Sequence, residues 1–235
     1  MNPHDGQFSA AIARENEQGY LAVIPDIKCI SPKEGDLLKG RNPVAVAKRL
    51  VEYGAPALSV VTERERFGGS PKLLREIVTH TGVPVLRKDF VRDENMLVET
   101  VKLGAAAVLL ICAITDEENL YALYKKAIEL GLEPLVEVHT VEEMEFAKKI
   151  GAKLIGINNR DIVTLEMDSG DVSRTSALAA NAPTDALLIS ESGILSRSDA
   201  KLAASVGANA VLVGTALWQA RDMGAMVRSL RVSMT

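Results

Sequence analysis

The chain has 235 residues, 47% of them hydrophobic, enough for one large α/β domain with a sizeable core or two small ones. Its formal net charge of -4 argues against nucleic acid as a partner, because a phosphate backbone calls for a basic surface. No apolar run is long enough to cross a bilayer, so no membrane partner is expected.

The first 18 residues are polar and carry Glu15 and Glu17, unlike a secretory leader. They read as a short N-terminal extension over 1–19, with the folded unit over 20–235. An apolar strand is expected over 20–27, followed by a loop rich in Ser, Pro, Lys and Gly over 31–40. Pro43 then opens a helix over 44–53, which Gly54 stops. The second strand spans 57–62 and its loop 63–70. Pro71 opens the next helix, which ends near His80 with Gly82 just beyond. The third strand covers 83–86, and a helix over 94–103 ends at Gly104.

The fourth strand is the apolar run 106–111. The helix over 116–130 carries Leu120, Leu123, Tyr124, Ala127 and Ile128 on one face, with Thr115 as its expected N-cap and Gly131 as its stop. Strands over 133–138, 153–157, 186–190 and 209–213 follow. They alternate with helices over 141–150, 169–180, 198–206 and 217–230. The strands are short and apolar throughout, the pattern of strands covered on both faces. Eight strand-then-helix units of this kind predict a single-domain (β/α)8 TIM barrel. An open doubly wound sheet is the second choice. It is disfavoured because no Gly-rich dinucleotide turn follows the first strand.

Active sites of such barrels lie at the C-terminal ends of the strands. Those ends here carry Asp26 and Lys28, Glu63, Lys88, Glu137, Asn158 with Arg160, Glu191 with Ser192, and Gly214 with Thr215. A solvated rim accounts for some charges. It does not require Glu137 between Val136 and Val138, or Lys28 directly after Ile27, where desolvation penalises an unused charge. Two lysines facing several carboxylates suit general acid–base chemistry.

After the last two strands stand Ser192-Gly193 and Gly214-Thr215, small residues whose backbone N–H groups can close on an oxyanion. Each glycine alone is better read as a tight turn. The pair, at the two strands where barrels hold phosphate, points to phosphate binding, with Lys28 adding positive charge. Phe67, beside Gly68-Gly69-Ser70, either caps an aromatic ring or anchors its loop. His139 reads as a structural residue at a helix start, and Trp218 as core. Asp89 reads as a partner that positions Lys88 or as a plain loop salt bridge. Cys29 and Cys112 lack framework or metal-ligand spacing, and His4, His80 and His139 are scattered. No metal site is expected, and a reducing cytoplasm fits.

These residues carry a resemblance. The stretches Ile27-Lys28 with Ser31-Pro32, Phe67-Gly68-Gly69-Ser70 and Val85-Leu86-Arg87-Lys88-Asp89-Phe90 are similar to those of the indole-3-glycerol phosphate synthase family. So are Leu135-Val136-Glu137-Val138-His139, Ile155-Gly156-Ile157-Asn158-Asn159-Arg160-Asp161, Ser190-Glu191-Ser192-Gly193-Ile194 and Val213-Gly214-Thr215-Ala216-Leu217, in the family's order and spacing. The resemblance implies a carboxy-lyase of tryptophan biosynthesis. Its phosphorylated small-molecule substrate is 1-(2-carboxyphenylamino)-1-deoxyribulose 5-phosphate, and it uses no metal or organic cofactor. A monomer or weak homodimer is expected.

By the same resemblance, Lys88 matches the general acid and Glu137 its partner in proton transfer. Lys28 matches a lysine used in phosphate contact and dehydration, and Asp26 the first-strand catalytic carboxylate. Ser31, Asn158, Arg160, Glu191 and Ser192 match substrate-positioning groups, and Phe67 an aromatic near the anthranilate ring. Gly193, Gly214 and Thr215 match the phosphate cradle.

The chain departs from the family in two places. Pro25-Asp26 replaces the usual Ala-Glu, shortening the carboxylate's reach by roughly 1.3–1.5 Å. The extension before the first strand is also shorter than the helical segment the family commonly carries over the barrel mouth. Beside the synthase reading stand two others. One is a paralogous barrel enzyme acting on a related amino-ketose or sugar phosphate. The other is a non-catalytic phosphate-ligand-binding barrel.

Overall fold

The structure, a computed structural model, describes residues 6–160 and 171–234. Asp161 and the first two residues of the helix expected over 169–180 lie outside the described residues. The polar N-terminal stretch, left without an element in the sequence reading, forms helix α1 (Gln7–Glu17). Strand β1 (Ala22–Ile27) follows. The loop expected over 31–40 contains a small antiparallel hairpin, β2 (Ile30–Ser31) and β3 (Gly35–Asp36).

Helix and strand then alternate: α2 (Pro43–Glu52), β4 (Leu58–Val61), α3 (Pro71–Thr81), β5 (Val85–Lys88), α4 (Glu94–Leu103) and β6 (Ala107–Ile111). Next come α5 (Glu117–Glu129), β7 (Glu133–Val138), α6 (Val141–Lys149), β8 (Leu154–Asn158) and α7 (Ser173–Leu178). The chain ends with β9 (Leu187–Glu191), α8 (Arg197–Ser205), β10 (Ala210–Val213), α9 (Thr215–Gln219) and α10 (Met223–Leu230). The eight strands β1 and β4 to β10 are parallel neighbours in chain order, and β1 pairs with β10 to close the barrel.

Polar caps set most helix starts. The side chains of Asn42, Ser70, Asp93 and Thr140 accept backbone N–H groups from the first turns of α2, α3, α4 and α6. Ser196 and Asp199 form a reciprocal capping box on α8. Capping also explains two differences from expectation. Asp116, not Thr115, caps α5, because its carboxylate accepts the Asn119 N–H at 2.9 Å. The helix expected over 217–230 is two helices. Ala220 is extended, and Asp222 starts α10 by accepting the Ala225 N–H at 2.9 Å.

Strand β5 begins two residues later than expected and runs through Lys88, because Pro84 has no N–H for the ladder. Its alternation decides the site. Leu86 packs among the interior residues, and Val85 packs with the outer helices. Lys88 therefore points inward and Arg87 outward.

The barrel interior is filled by Ala22, Ile24, Leu86, Leu109, Leu135, Leu154, Ile189 and Leu212. Helix α1 plugs its N-terminal end with Phe8, Ala11 and Ile12, all buried. The Glu133 carboxylate, at the start of β7, accepts the N–H groups of Phe8 at 2.6 Å and Ser9 at 2.9 Å. It thus satisfies orphan donors and faces the positive end of the helix dipole. Asn16 and Asn209 clasp the other end. Asn16 Nδ2 donates to the Asn209 carbonyl at 2.9 Å, and Asn209 Nδ2 donates to Asn16 Oδ1 at 3.0 Å. Helix α1 thus covers the barrel floor rather than its mouth. Among the described residues, no helix is long and apolar enough to cross a membrane.

Glu133→Ala removes both acceptors from the start of α1 and is expected to cost about 1–2 kcal/mol of stability. Urea unfolding monitored by circular dichroism measures it; an unchanged midpoint would contradict the capping role.

Candidate active site

At the mouth, the inward positions of the strands carry charge in place of the apolar residues below. Lys88 Nζ stands 2.5 Å from Glu191 Oε2 and 3.5 Å from Glu137 Oε2. Glu137 and Glu191 are almost wholly buried, while Lys88 keeps some access to solvent. Burial pulls the Lys88 pKa down, but Glu191, Glu137 and Asp26 outweigh it and hold the amine well above its ordinary range as an ammonium. Burial pushes the Glu191 carboxyl up to about 7; Glu137 and Asp26 add to the rise, and Lys88 opposes it. Both oxygens of Glu137 and Oε1 of Glu191 make no hydrogen bond with the described residues. Buried carboxylate oxygens left in this state are poised to take a ligand or a proton.

Glu191 reaches Lys88 across the barrel because Gly156 leaves the way clear. A Cβ at Gly156 would lie 2.0 Å from Glu191 Oε1. Asp26 sits on the same floor, its Oδ1 accepting the Ser59 hydroxyl at 2.7 Å. Its carbonyl accepts the Trp218 indole N–H at 3.0 Å, which gives the buried indole its polar partner.

Two adjoining pockets open above this floor, and Asp26, Lys28 and Lys88 line both. The first is polar and is closed by Arg160, Ser192, Gly193, Gly214 and Thr215. The second is largely apolar, walled by Val61, Phe67, Phe90, Leu109 and Ile111, with Glu137 at its base. Phe67 and Phe90 stand 6.4 Å apart at 45°, and Lys28 Nζ lies 5.5 Å from the Phe67 ring centre.

The remaining predicted residues sit around these pockets. Glu191 lies beneath Lys88. Asn158 is buried and turns the chain at the end of β8, its Oδ1 accepting the Arg160 N–H at 3.0 Å. Ser31 is buried in the hairpin, where its hydroxyl accepts the Glu34 N–H at 3.3 Å; it lines neither pocket. The Glu63 carboxylate folds its loop by accepting the N–H groups of Glu65, Arg66 and Phe67, and so aims Phe67 at the mouth.

Several supporting residues have no sequence signature of their own. Arg87 is buried outside the barrel. It bonds Thr62, Thr100 and the Met96 carbonyl, and pairs with Glu99 at 2.8 Å and Asp89 at 3.3 Å. Asp89 is therefore a partner of Arg87 and of the Thr62 hydroxyl, not of Lys88. Asn159 staples β8 to the turn after β9. Its Nδ2 donates to Ser190 Oγ and to the carbonyls of Glu191 and Ser192, and its Oδ1 accepts from Thr175. That staple helps hold Ser192 at φ 62°, a left-handed conformation that a serine adopts at a cost, with Gly193 next at φ 70°. Ser59, Gly156 and Phe90 complete the set; the phase of strand alternation would have marked Ser59 and Gly156 as inward-facing.

His139 stands between two carboxylates. Its ring lies 3.5 Å from Glu137 and 3.4 Å from Glu143. Among the described residues, no group of three or more His, Cys, Asp or Glu is placed to hold a metal ion.

Gly156→Ala is expected to drive the Glu191 carboxylate off Lys88 and to destabilise the fold by about 1–3 kcal/mol. A crystal structure of the variant with an intact contact between Lys88 and Glu191 would contradict it.

The comparisons agree with the fold. The model of one protein family, described as Indole-3-glycerol phosphate synthase, matches residues 1–230. Indole-3-glycerol phosphate synthase of Pyrococcus furiosus is 44% identical over 206 residues, covering 88% of this chain and 90% of the relative. The protein of that name from Streptococcus sanguinis is 40% identical over 232 residues, covering 99% and 89%. That from Alkaliphilus metalliredigens is 39% identical over 223 residues, covering 95% and 83%. With the match running through every strand of a barrel whose mouth gathers Lys88, Glu137 and Glu191, the chain belongs to the indole-3-glycerol phosphate synthase family.

Proposed function

We propose that the chain closes the indole ring of 1-(2-carboxyphenylamino)-1-deoxyribulose 5-phosphate with loss of carbon dioxide and water. The observation that carries this reading is the pair of pockets sharing Asp26, Lys28 and Lys88. A substrate with an aryl ring at one end and a phosphate at the other places its reacting middle over the shared residues. The aryl ring enters the slot of Phe67, Phe90, Leu109 and Ile111. The phosphate meets the backbone turns at Gly193, Gly214 and Thr215, with Lys28 and Arg160 supplying positive charge. Ser192, on its strained turn, orients the ribulose hydroxyls. Asn158 and Glu191 act from beneath, and Ser31 acts by holding the hairpin that carries Lys28 and Cys29 to the rim.

Lys88 is the general acid. As the ring carbon bearing the carboxylate bonds to the ketose carbonyl carbon, the carbonyl oxygen gains charge and takes a proton from the Lys88 ammonium. The bond to the carboxylate then breaks, carbon dioxide leaves, and its electron pair restores the aromatic ring. In dehydration, Lys28 protonates the departing hydroxyl, while Glu137 or Asp26 removes the neighbouring C–H proton. Asp26 is shorter than the family's usual glutamate. Anchored by Ser59 and set beside Gly214, it serves at the floor of the site, where its reach is fixed.

The density of buried, mutually dependent charge favours an enzyme over a binding scaffold. Such a cluster costs stability unless it is used. The two unbridged cysteines support a reducing cytoplasm. Among the described residues the exposed large apolar side chains are scattered, with no more than two on any one helix (Tyr121 and Ile128 on α5), which supports a monomer or weak homodimer.

Two measurements test the reading. Wild-type protein should generate indole fluorescence from the anthranilate-ribulose phosphate, and Lys88→Ala should lower kcat/KM by about 10²–10⁴-fold; equal rates for the two would sink the assignment. The acid limb of the kcat/KM profile should fall as pH drops through about 7, where Glu191 takes a proton and stops holding the Lys88 ammonium. Glu191→Gln should abolish that inflection.

A further inference from the structure

The ring-closing reading, on which this inference rests, has a proton balance. With an ionised substrate carboxylate, ring closure takes one proton onto the carbonyl oxygen, and decarboxylation takes none. Dehydration takes one proton to make water and returns one from carbon. Each turnover therefore consumes one proton from solvent: with Asp26 as the base of dehydration, the proton from carbon returns to Lys28, and Lys88 is the acid left to be reloaded.

A file of side chains leads from Lys88 to the protein surface. Glu137 Oε2 lies 3.5 Å from Lys88 Nζ, and Glu137 Oε1 lies 3.5 Å from His139 Nε2. His139 Nδ1 lies 3.4 Å from Glu143 Oε2. Side-chain exposure rises along the file from 1% at Glu137 to 8% at His139 and 20% at Glu143. Neither ring nitrogen of His139 makes a hydrogen bond with the described residues, so both are available. Glu143 is held in place by α6. It accepts the His139 backbone N–H at 2.5 Å, and Thr140 Oγ1 accepts its own N–H at 3.2 Å.

We propose that Glu143, His139 and Glu137 form a proton entry path that reloads Lys88 through the barrel wall while substrate or product fills the mouth. Neutral Lys88 takes the proton from the Glu137 carboxyl at Oε2. Glu137 recovers one at Oε1 from His139 Nε2–H. His139 regains a proton at Nδ1 from Glu143, which is recharged by water. Each step moves one proton; rotation of the Glu137 carboxyl, which brings its proton back to Oε2, and exchange of the His139 ring proton from Nδ1 to Nε2 then return the path to its starting state.

The groups facing His139 suit the task. Burial disfavours its charged form, but Glu143 on α6 and Glu137 on β7 outweigh that and raise its pKa, with Arg174 on α7 opposing. Cys112, which follows β6, adds no charge. Burial first, then Glu143, Glu137 and Glu117, keep its thiol protonated.

Rapid mixing separates the first turnover from later ones. With enzyme in excess, Lys88 is already loaded. His139→Ala should keep a single-turnover rate within about twofold of wild type while its steady-state rate at pH 8.5 falls about tenfold. Added imidazole should restore the steady-state rate, without effect on wild type. Glu143→Gln, on the surface and still able to accept the His139 N–H, should show the same split to a smaller degree. Parallel loss of both rates without imidazole rescue would make His139 a support for Glu137 only. Unchanged rates in both variants would mean that Lys88 reloads from the mouth. Either result overturns the path alone, whereas a wild-type protein without turnover overturns the ring-closing reading and the path together.

Discussion

The structure depends on an ammonium held between two buried carboxylates. Lys88, Glu191 and Glu137 come from β5, β9 and β7, so the cluster spans the barrel and each member is tolerable only because the others are present. Removing one would leave an unpaired charge in an apolar shell. Much nearby sequence serves this arrangement: Gly156 vacates the space Glu191 crosses, and Arg87, turned outward with five partners, fixes the end of the strand that delivers Lys88.

The barrel separates two jobs along its axis. Below the charged layer, Ala22, Ile24, Leu86, Leu135 and Leu212 pack as an apolar core closed by α1. Above it, loops held by side-chain bonds to backbone shape the mouth. Glu63 folds the Phe67 loop and Asn159 the Ser192 turn. Both are polar residues whose work is done on main-chain groups, which makes the loops specific without a large apolar core of their own.

Much of this was legible in the sequence. Eight apolar runs punctuated by glycine gave strand number and order, and the charges that ended those runs marked Lys28, Lys88, Glu137 and Glu191. What escaped did so for physical reasons. Helix α1 has a narrow apolar face, Phe8, Ala11 and Ile12, diluted by polar neighbours, so its burial depends on the open barrel floor rather than on its own pattern. Arg87 and Lys88 look alike in sequence. Only strand phase shows that one faces the outer helices and the other the pockets of the barrel mouth. Of the two readings of Asp89, the plain salt bridge holds, with Arg87, because the pleat sends Lys88 to the opposite face. His139 read as a helix-start residue, and its ion pairs depend on Glu137 and Glu143 arriving from both sides.

The stretch that leads from α1 into β1 and the stretch after α10 meet on the floor of the barrel. Leu21 donates to the Val232 carbonyl at 2.9 Å, Met234 donates to the Gly19 carbonyl at 3.0 Å, and Arg231 pairs with Glu15 at 2.6 Å. The two stretches are stitched to each other across the seam where β1 meets β10. Closure of the barrel thus draws on residues outside its eight strands. Loss of either stretch would loosen the sheet where its first strand meets its last, at the end opposite the pockets.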